Sequence, residues 1–430
     1  MKVFGRALSS VVDVGRDILA RRRLAAAESA STSFALTDLC RQLLEHRGEA
    51  SGMALASEIT TAYLDMDAAE RPAFFDCLLK EFGVDDECIL EAADNYRQHA
   101  NAENLAAITR AVEAPRQKLF RRLNMSPGGT ATLVTMRGHL REALQDNPAL
   151  KAVDSDLRHL FISWFNKGFL EMQRISWDTP ASVLEKIIQY EAVHAINGWD
   201  DLRHRLREDR TCFAFFHPAM PDDPLVFVEV AFTDGLPDAI APLLEQERQP
   251  ISADKADTVV FYSISNCHPG LAGVSFGNFL IKQVVEEVQQ EHPNIKTFVT
   301  LSPVPEFRKW LERANLSELI DPELVEKAKE PINTVVPAEI RDALMQLCAH
   351  YLLREKSGNL ARDPVARFHL GNGARLHRLH WAADLTPKGK QQSAGIMVNY
   401  LYDPDKIELN HEEYFDQGTI AVSKTISKLL

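Results

Sequence analysis

Apolar residues recur every three or four positions along most of the first 170 residues, which predicts helix after helix. Phe74, Leu78, Leu79 and Phe82 form one such stripe. The pattern continues over 87–96, 105–112 and 115–123. It breaks at Asn-Met-Ser-Pro-Gly-Gly (124–129) and resumes over 131–144 and 154–168. No segment repeats at a fixed period, which excludes a solenoid. Arg71, Arg121, Arg122 and Arg137 are expected on solvated helix faces.

The periodicity changes after Trp177-Asp178-Thr179-Pro180. Thr179 suits an N-cap and Pro180 the first turn of a helix reaching Tyr190. Residues 192–206 again have helical spacing. The runs 211–216 and 225–232 then read as two strands of a hairpin around the Pro218–Pro224 turn. Glu229 interrupts the second run. A strand carboxylate there either faces solvent, the expected case, or is buried and available as an acid or base. A short helix is predicted over 238–247, and further helices over 307–315, 322–329 and 337–353. Several short strands are expected between Asp363 and Tyr402.

The central stretch lies between these regions, from Asp257 to Pro305. Thr258–Ser265 is an apolar, β-branched and aromatic run of strand length. A turn containing Gly270 and Gly273 follows, then helical spacing over 274–288, then the strand 297–301 ending at Ser302-Pro303. Strand, glycine turn, helix and strand make a βαβ unit. Its turn amides and helix N-terminus suit an anion such as a pyrophosphate, although an ordinary turn has the same spacing. The expectation for the chain is α+β: an all-α region over 1–178 and a mixed α/β region over 179–430.

Composition narrows the class. With 430 residues, 45% hydrophobic and 25% charged, the chain reads as globular with more than one core. A net charge of −13 argues against general nucleic-acid affinity. No apolar run is long enough for a membrane span. Six scattered cysteines contain no CxxC pair, which suits free thiols and a cytoplasmic location. Arg6, Arg16 and Arg21–Arg23 are interleaved with Asp13 and Asp17, which suggests an amphipathic N-terminal helix rather than a transit peptide. The terminal Leu430 removes the tripeptide Ser427-Lys428-Leu429 from the chain end that a peroxisomal signal needs.

Several motifs in one order are more specific than a glycine turn. These are Phe261-Tyr262-Ser263-Ile264-Ser265, Gly270-Leu271-x-Gly273-Val274, Gly277-x-Phe279-Leu280-Ile281-Lys282 and Leu301-Ser302-Pro303-x-Pro305. Phe368-His369-Leu370-x-Asn372-Gly373-Ala374 and Asn399-Tyr400-x-Tyr402 follow downstream. Trp164-Phe165-x-x-Gly168-Phe169-Leu170 and Glu191-Ala192-Val193-His194 precede them. Together they resemble the malonyl-CoA decarboxylase family from about residue 80 onward, most densely after Phe161.

The resemblance implies a helical bundle joined to an acetyltransferase-like (GNAT-type) domain. It implies CoA contacts at Ala272, Gly273, Val274, Ser275, Phe276, Gly277 and Asn278. Relatives often have a carboxylate where this chain has Ser275, so side-chain chemistry at that position does not carry over, whereas backbone contacts do. The resemblance further implies Ser302 and His369 as catalytic positions, as proton acceptor and proton donor, with Tyr402 a third site residue. It implies a homo-oligomer, a tetramer favoured, with malonyl-CoA as substrate. No cofactor is expected beyond the CoA moiety of that substrate, because the thioester carbonyl is itself the electron sink.

Without the resemblance, Ser302 reads as a strand end, His369 as a core histidine and Tyr402 as a half-buried strand tyrosine. Two other functions fit the same fold, an acyl-CoA-dependent N-acyltransferase and a non-catalytic acyl-CoA-binding protein.

Overall fold

A computed structural model describes residues 10–16, 32–274, 279–332 and 336–430. Chain contacts divide it into two compact units. The first comprises the described residues of Met1–Glu171, Phe216–Asp223 and His268–Ser275; the second comprises those of Met172–Phe215, Pro224–Cys267 and Phe276–Leu430.

The first unit is helical. Its helices include Glu49–Leu64, Arg71–Lys80, Pro115–Asn124, Gly129–Ala143 and Lys151–Trp164. The expected stripe is its core, since Phe74, Leu78 and Phe82 are buried with Leu119, Leu133 and Leu157. Asp85 caps the helix Asp86–Gln98 by accepting from the N–H groups of Glu87 and Cys88. Residues 10–16 are helical, and the rest of the basic N-terminal stretch lies outside the described residues.

The second unit is built on one mixed sheet. Its strands are β1 (Glu171–Ile175), β2 (Arg210–Phe216), β3 (Val226–Thr233), β4 (Thr258–Asn266), β5 (Thr297–Thr300), β6 (Ser302–Pro303), β9 (Arg375–His380) and β10 (Met397–Tyr402). Two further short strands, β7 (Lys356–Ser357) and β8 (Leu360–Ala361), form a separate hairpin. The order in the main sheet is β1-β2-β3-β4-β5-β10-β6, with β9 on β10. The predicted hairpin is the antiparallel pair β2–β3, and β4 continues it antiparallel to β3.

The βαβ unit forms as expected. β4 and β5 run parallel from Thr258↔Thr297 to Phe261↔Thr300, connected through the helix Phe279–Glu291. Beyond Phe261, β4 pairs only with β3, so the two parallel strands part company there. A helical N-terminal region followed by a mixed α/β domain is therefore the observed architecture.

Several sequence expectations differ from the structure. Residues 192–198 are not helical. The Glu191 carboxylate accepts from the N–H groups of Val193 and His194, and a helix restarts only at Trp199–Arg205. Such local side-chain bonds compete with the helical ladder. Glu229 is not on a solvated face but only 1% exposed, because the sheet is covered there by the segment carrying Arg205, whose guanidinium donates to it at 3.0 Å. The segment around His369, read among candidate strands, is a helix, Pro364–Gly371.

Candidate active site

Two elements bring the candidate catalytic residues together. The first is the strand end after β5. Successive strand residues alternate faces, so Thr300 and Ser302 share one. β10 pairs with both flanks, Leu401 opposite Val299 and Val398 opposite Ser302. Between these pairs the ladder is interrupted opposite Asn399 and Tyr400, where the register of β10 on β9 also shifts. Two bonds involving side chains bridge the gap. Asn399 Nδ2 donates to the Thr300 carbonyl at 2.8 Å, and Tyr400 N–H donates to Thr300 Oγ1 at 3.1 Å.

The second element is the helix Pro364–Gly371. Pro364 occupies its first turn, and Asp363 caps it by accepting from the N–H groups of Val365 and Ala366. A cap of this kind contributes about 1 kcal/mol. At the other end the chain turns at Gly373, whose φ of +79° lies in the left-handed region. Gly373 N–H returns to the Leu370 carbonyl at 3.0 Å and Ala374 N–H to the His369 carbonyl at 3.1 Å. That is the Schellman pattern of a helix C-terminus, and it clamps the turn that carries His369.

The side chains form a continuous chain. His369 Nδ1 lies 2.8 Å from the Tyr402 hydroxyl, and Nε2 lies 3.0 Å from Ser302 Oγ. Ser302 Oγ in turn donates to Thr300 Oγ1 at 2.9 Å. The Tyr400 ring stacks on the imidazole, with centroids 4.6 Å apart and planes at 23°. His369 is only 3% exposed and Ser302 6%. Burial pushes the His369 imidazole down to about 3, so it is neutral near pH 7, with one N–H donor and one acceptor nitrogen. Burial also raises the Tyr402 hydroxyl well above its ordinary value, so it too stays neutral. Asp363 is pushed up to about 6, chiefly by burial.

The turn after β4 belongs to the helical unit. Arg137 there is fully buried, correcting the expectation of a solvated face. Its Nε donates to Asp154 at 2.8 Å, and its Nη1 donates to the carbonyls of Gly270 at 2.6 Å and Ala272 at 2.9 Å. Arg158 Nε donates to the Gly273 carbonyl at 3.0 Å. Gly270 is required by close approach, since a Cβ there would lie 1.9 Å from the Val134 carbonyl oxygen. Gly273 has a φ of +75°. Ala272, Gly273 and Val274 are thus placed, while Ser275, Phe276, Gly277 and Asn278 lie outside the described residues.

A second buried polar cluster surrounds Glu191, which accepts from Ser263 Oγ at 2.7 Å and Ser265 Oγ at 3.1 Å. It ties the loop after the Ala181–Tyr190 helix to β4. Among the described residues, no three His, Cys, Asp or Glu side chains are grouped to hold a metal ion, and no helix is long and apolar enough to cross a membrane.

Ser302, His369 and Tyr402, separated by 67 and 33 residues in sequence, therefore meet through hydrogen bonds. Sequence reasoning missed Thr300, Tyr400, Arg137 and Arg158 as members of these sites. Thr300 was signalled by strand alternation. Arg137 was signalled by lying on the same helical stripe as Leu133 and Leu140.

The family profile described as the malonyl-CoA decarboxylase C-terminal domain matches residues 168–430, and that of the N-terminal domain matches 82–165. The chain belongs to the malonyl-CoA decarboxylase family. It is 34% identical over 413 residues to the protein named malonyl-CoA decarboxylase, mitochondrial, of Anser anser anser, covering 86% of this chain and 82% of that one. The Rattus norvegicus protein of the same name is 33% identical over 406 residues, with coverages of 85% and 82%. The crystal structure of malonyl-CoA decarboxylase from Rhodopseudomonas palustris is 50% identical with a TM-score of 0.89, covering 93% of this chain and 100% of that one. That from Agrobacterium vitis is 48% identical with a TM-score of 0.85, covering 92% and 99%.

Proposed function

We propose that this member of the malonyl-CoA decarboxylase family converts malonyl-CoA to acetyl-CoA and CO2. The C–C bond to the carboxylate breaks, and its electron pair moves onto the thioester carbonyl to give an enolate. One proton must then reach the methylene carbon. His369 delivers it, with Ser302 as partner, and solvent returns a proton to the imidazole. The neutral state of His369 does not oppose this role, because a thioester enolate is a strong enough carbon base to take a proton from a neutral N–H. Tyr402 bears on Nδ1 and holds the ring while Nε2 gives up its proton. The observation that carries the reading is the buried Ser302–His369–Tyr402 chain, on a fold whose family chemistry needs one positioned proton.

In the same reading Ala272, Gly273, Val274, Ser275, Phe276, Gly277 and Asn278 contact CoA, with its pyrophosphate on the Gly270–Gly273 turn. An anion is repelled by carbonyl oxygens. Arg137 and Arg158 draw those of Gly270, Ala272 and Gly273 toward themselves. In a trans peptide the next N–H points the opposite way, so the Gly273 N–H is turned away from Arg137. The reading also includes a cytoplasmic homo-oligomer, a tetramer favoured. Exposed apolar residues of the helical unit, such as Leu90 and Leu105, support association, and six free cysteines support the compartment.

The test is purified protein with malonyl-CoA alone. CO2 and acetyl-CoA should appear in equal amounts with no amine present. Product formation only on addition of an amine would establish an acyltransferase instead, and tight binding without turnover a non-catalytic acyl-CoA-binding protein.

A further inference from the structure

We propose that Thr300 is a positioning residue that sets the direction of the hydrogen-bond chain through Ser302 and so fixes which nitrogen of His369 carries the proton. The inference rests on the reading of His369 as proton source.

Thr300 is fully buried, and its hydroxyl oxygen has three polar neighbours. Tyr400 N–H can only donate, so it occupies one lone pair of Thr300 Oγ1, at 3.1 Å. The Val398 carbonyl can only accept, and it lies 3.5 Å away, where the Thr300 proton is directed. The third neighbour is Ser302 Oγ at 2.9 Å, facing the remaining lone pair. Ser302 therefore spends its single proton on Thr300 and turns a lone pair toward His369 Nε2. An oxygen lone pair at 3.0 Å selects the tautomer with hydrogen on Nε2. Nδ1 is then the acceptor and takes the Tyr402 proton at 2.8 Å.

The break in the β5–β10 ladder is what makes this possible. With its proton on the Val398 carbonyl, Thr300 Oγ1 can only accept from Ser302; turned away from that carbonyl, it would donate to Ser302 instead. That reversal would pass along the chain, Ser302 donating to Nε2 and Nδ1–H donating to Tyr402. The proton would then sit on the nitrogen away from Ser302. One side-chain oxygen, with its proton on one main-chain carbonyl, decides between the two arrangements.

The experiment uses the full-length enzyme labelled with 15N-histidine. Two-bond 1H–15N correlations report which ring nitrogen is protonated, and His369 is assigned by its loss in His369→Asn. The wild type should show protonated Nε2. Thr300→Val keeps shape and burial but removes the acceptor. It should lose the Nε2–H preference and lower kcat by about 10²-fold, with KM nearly unchanged. Thr300→Ser, which keeps the hydroxyl, should retain the wild-type tautomer and most of kcat. A purely structural role would lower the yield of folded enzyme in Thr300→Val without moving the tautomer of what folds.

A proton on Nδ1 in the wild type overturns the proposal, and that measurement needs no variant to fold. A wild-type tautomer or wild-type kcat in Thr300→Val overturns it as well. The tautomer is read without substrate, which keeps the two questions apart. Protonated Nε2 in a protein that releases no CO2 supports this orientation of Ser302 and refutes the decarboxylase reading.

Discussion

Replacing Gly373 by alanine tests how the fold holds His369. Gly373 follows the helix Pro364–Gly371 with a φ of +79°. A non-glycine residue in that conformation costs about 1–2 kcal/mol. Against this, alanine loses less chain entropy on folding, which returns about 0.4–1 kcal/mol. Conformation alone therefore costs roughly 1 kcal/mol or less. Space adds more, because a Cβ at Gly373 would lie 2.1 Å from the Ile407 carbonyl oxygen and 2.8 Å from its carbon. Backbone must move, at the cost of overpacking a fitted core, about 1–3 kcal/mol.

Gly358 is the control. It lies in the turn of the β7–β8 hairpin with a φ of +64°, and nothing stands within 4 Å of its would-be Cβ. Gly358→Ala should thus cost about 1 kcal/mol or less and leave turnover unchanged. Gly373→Ala should cost about 1–4 kcal/mol. It should also lower kcat by about tenfold or more, because the Ala374 N–H that clamps the His369 carbonyl moves with it, and small misplacements of reacting groups are costly. Urea midpoints and steady-state kinetics on both variants decide the matter. Equal destabilisation by the two, or full kcat in folded Gly373→Ala, refutes the account of how His369 is held.

Three further outcomes are expected. His369→Asn should lower turnover by about 10²-fold or more; near-normal turnover in the purified, folded variant would remove His369 from proton transfer. The His369 ring signals should not titrate between pH 8 and 5, since its pKa is pushed down to about 3 by burial. Between about 6.5, the value in the unfolded chain, and about 3, only the unfolded state binds this proton. The site's contribution to stability is therefore complete above that range and is lost as the pH falls through it, a loss that His369→Asn should remove from the acid limb of a denaturation series. Arg137→Met should raise KM for malonyl-CoA more than it lowers kcat, and should cost about 3–5 kcal/mol because it leaves Asp154 without its partner. An unchanged KM would place the CoA pyrophosphate away from the Gly270–Gly273 turn.

Much of this protein was legible from local pattern. Stripes at helical spacing such as Phe74, Leu78 and Phe82 announced the helical unit, because burying one helix face needs no partner to be specified. The run Thr258–Ser265, its glycine turn and the strand at Thr297 announced the βαβ unit, because period-two burial and turn chemistry are properties of neighbours in sequence. Ser302, His369 and Tyr402 were singled out as candidates only through motif resemblance. Nothing in the spacing of three residues spread over a hundred positions says that they touch.

Other features belonged to tertiary structure alone. The helix that carries His369 was read among strands, since its ends are made by the Asp363 cap and the Gly373 turn and eight residues leave little periodicity to detect. Glu229 and Arg137 looked like surface charges because a charge is costly to bury alone, and the partners that make burial tolerable, Arg205 and Asp154, come from other elements. Thr300 gained its role from a gap in a ladder between strands a hundred residues apart. Sequence determined most of the helices and strands and singled out the side chains proposed to carry chemistry. Only packing decided which polar atoms face one another, because hydrogen-bond direction depends on every neighbour at once.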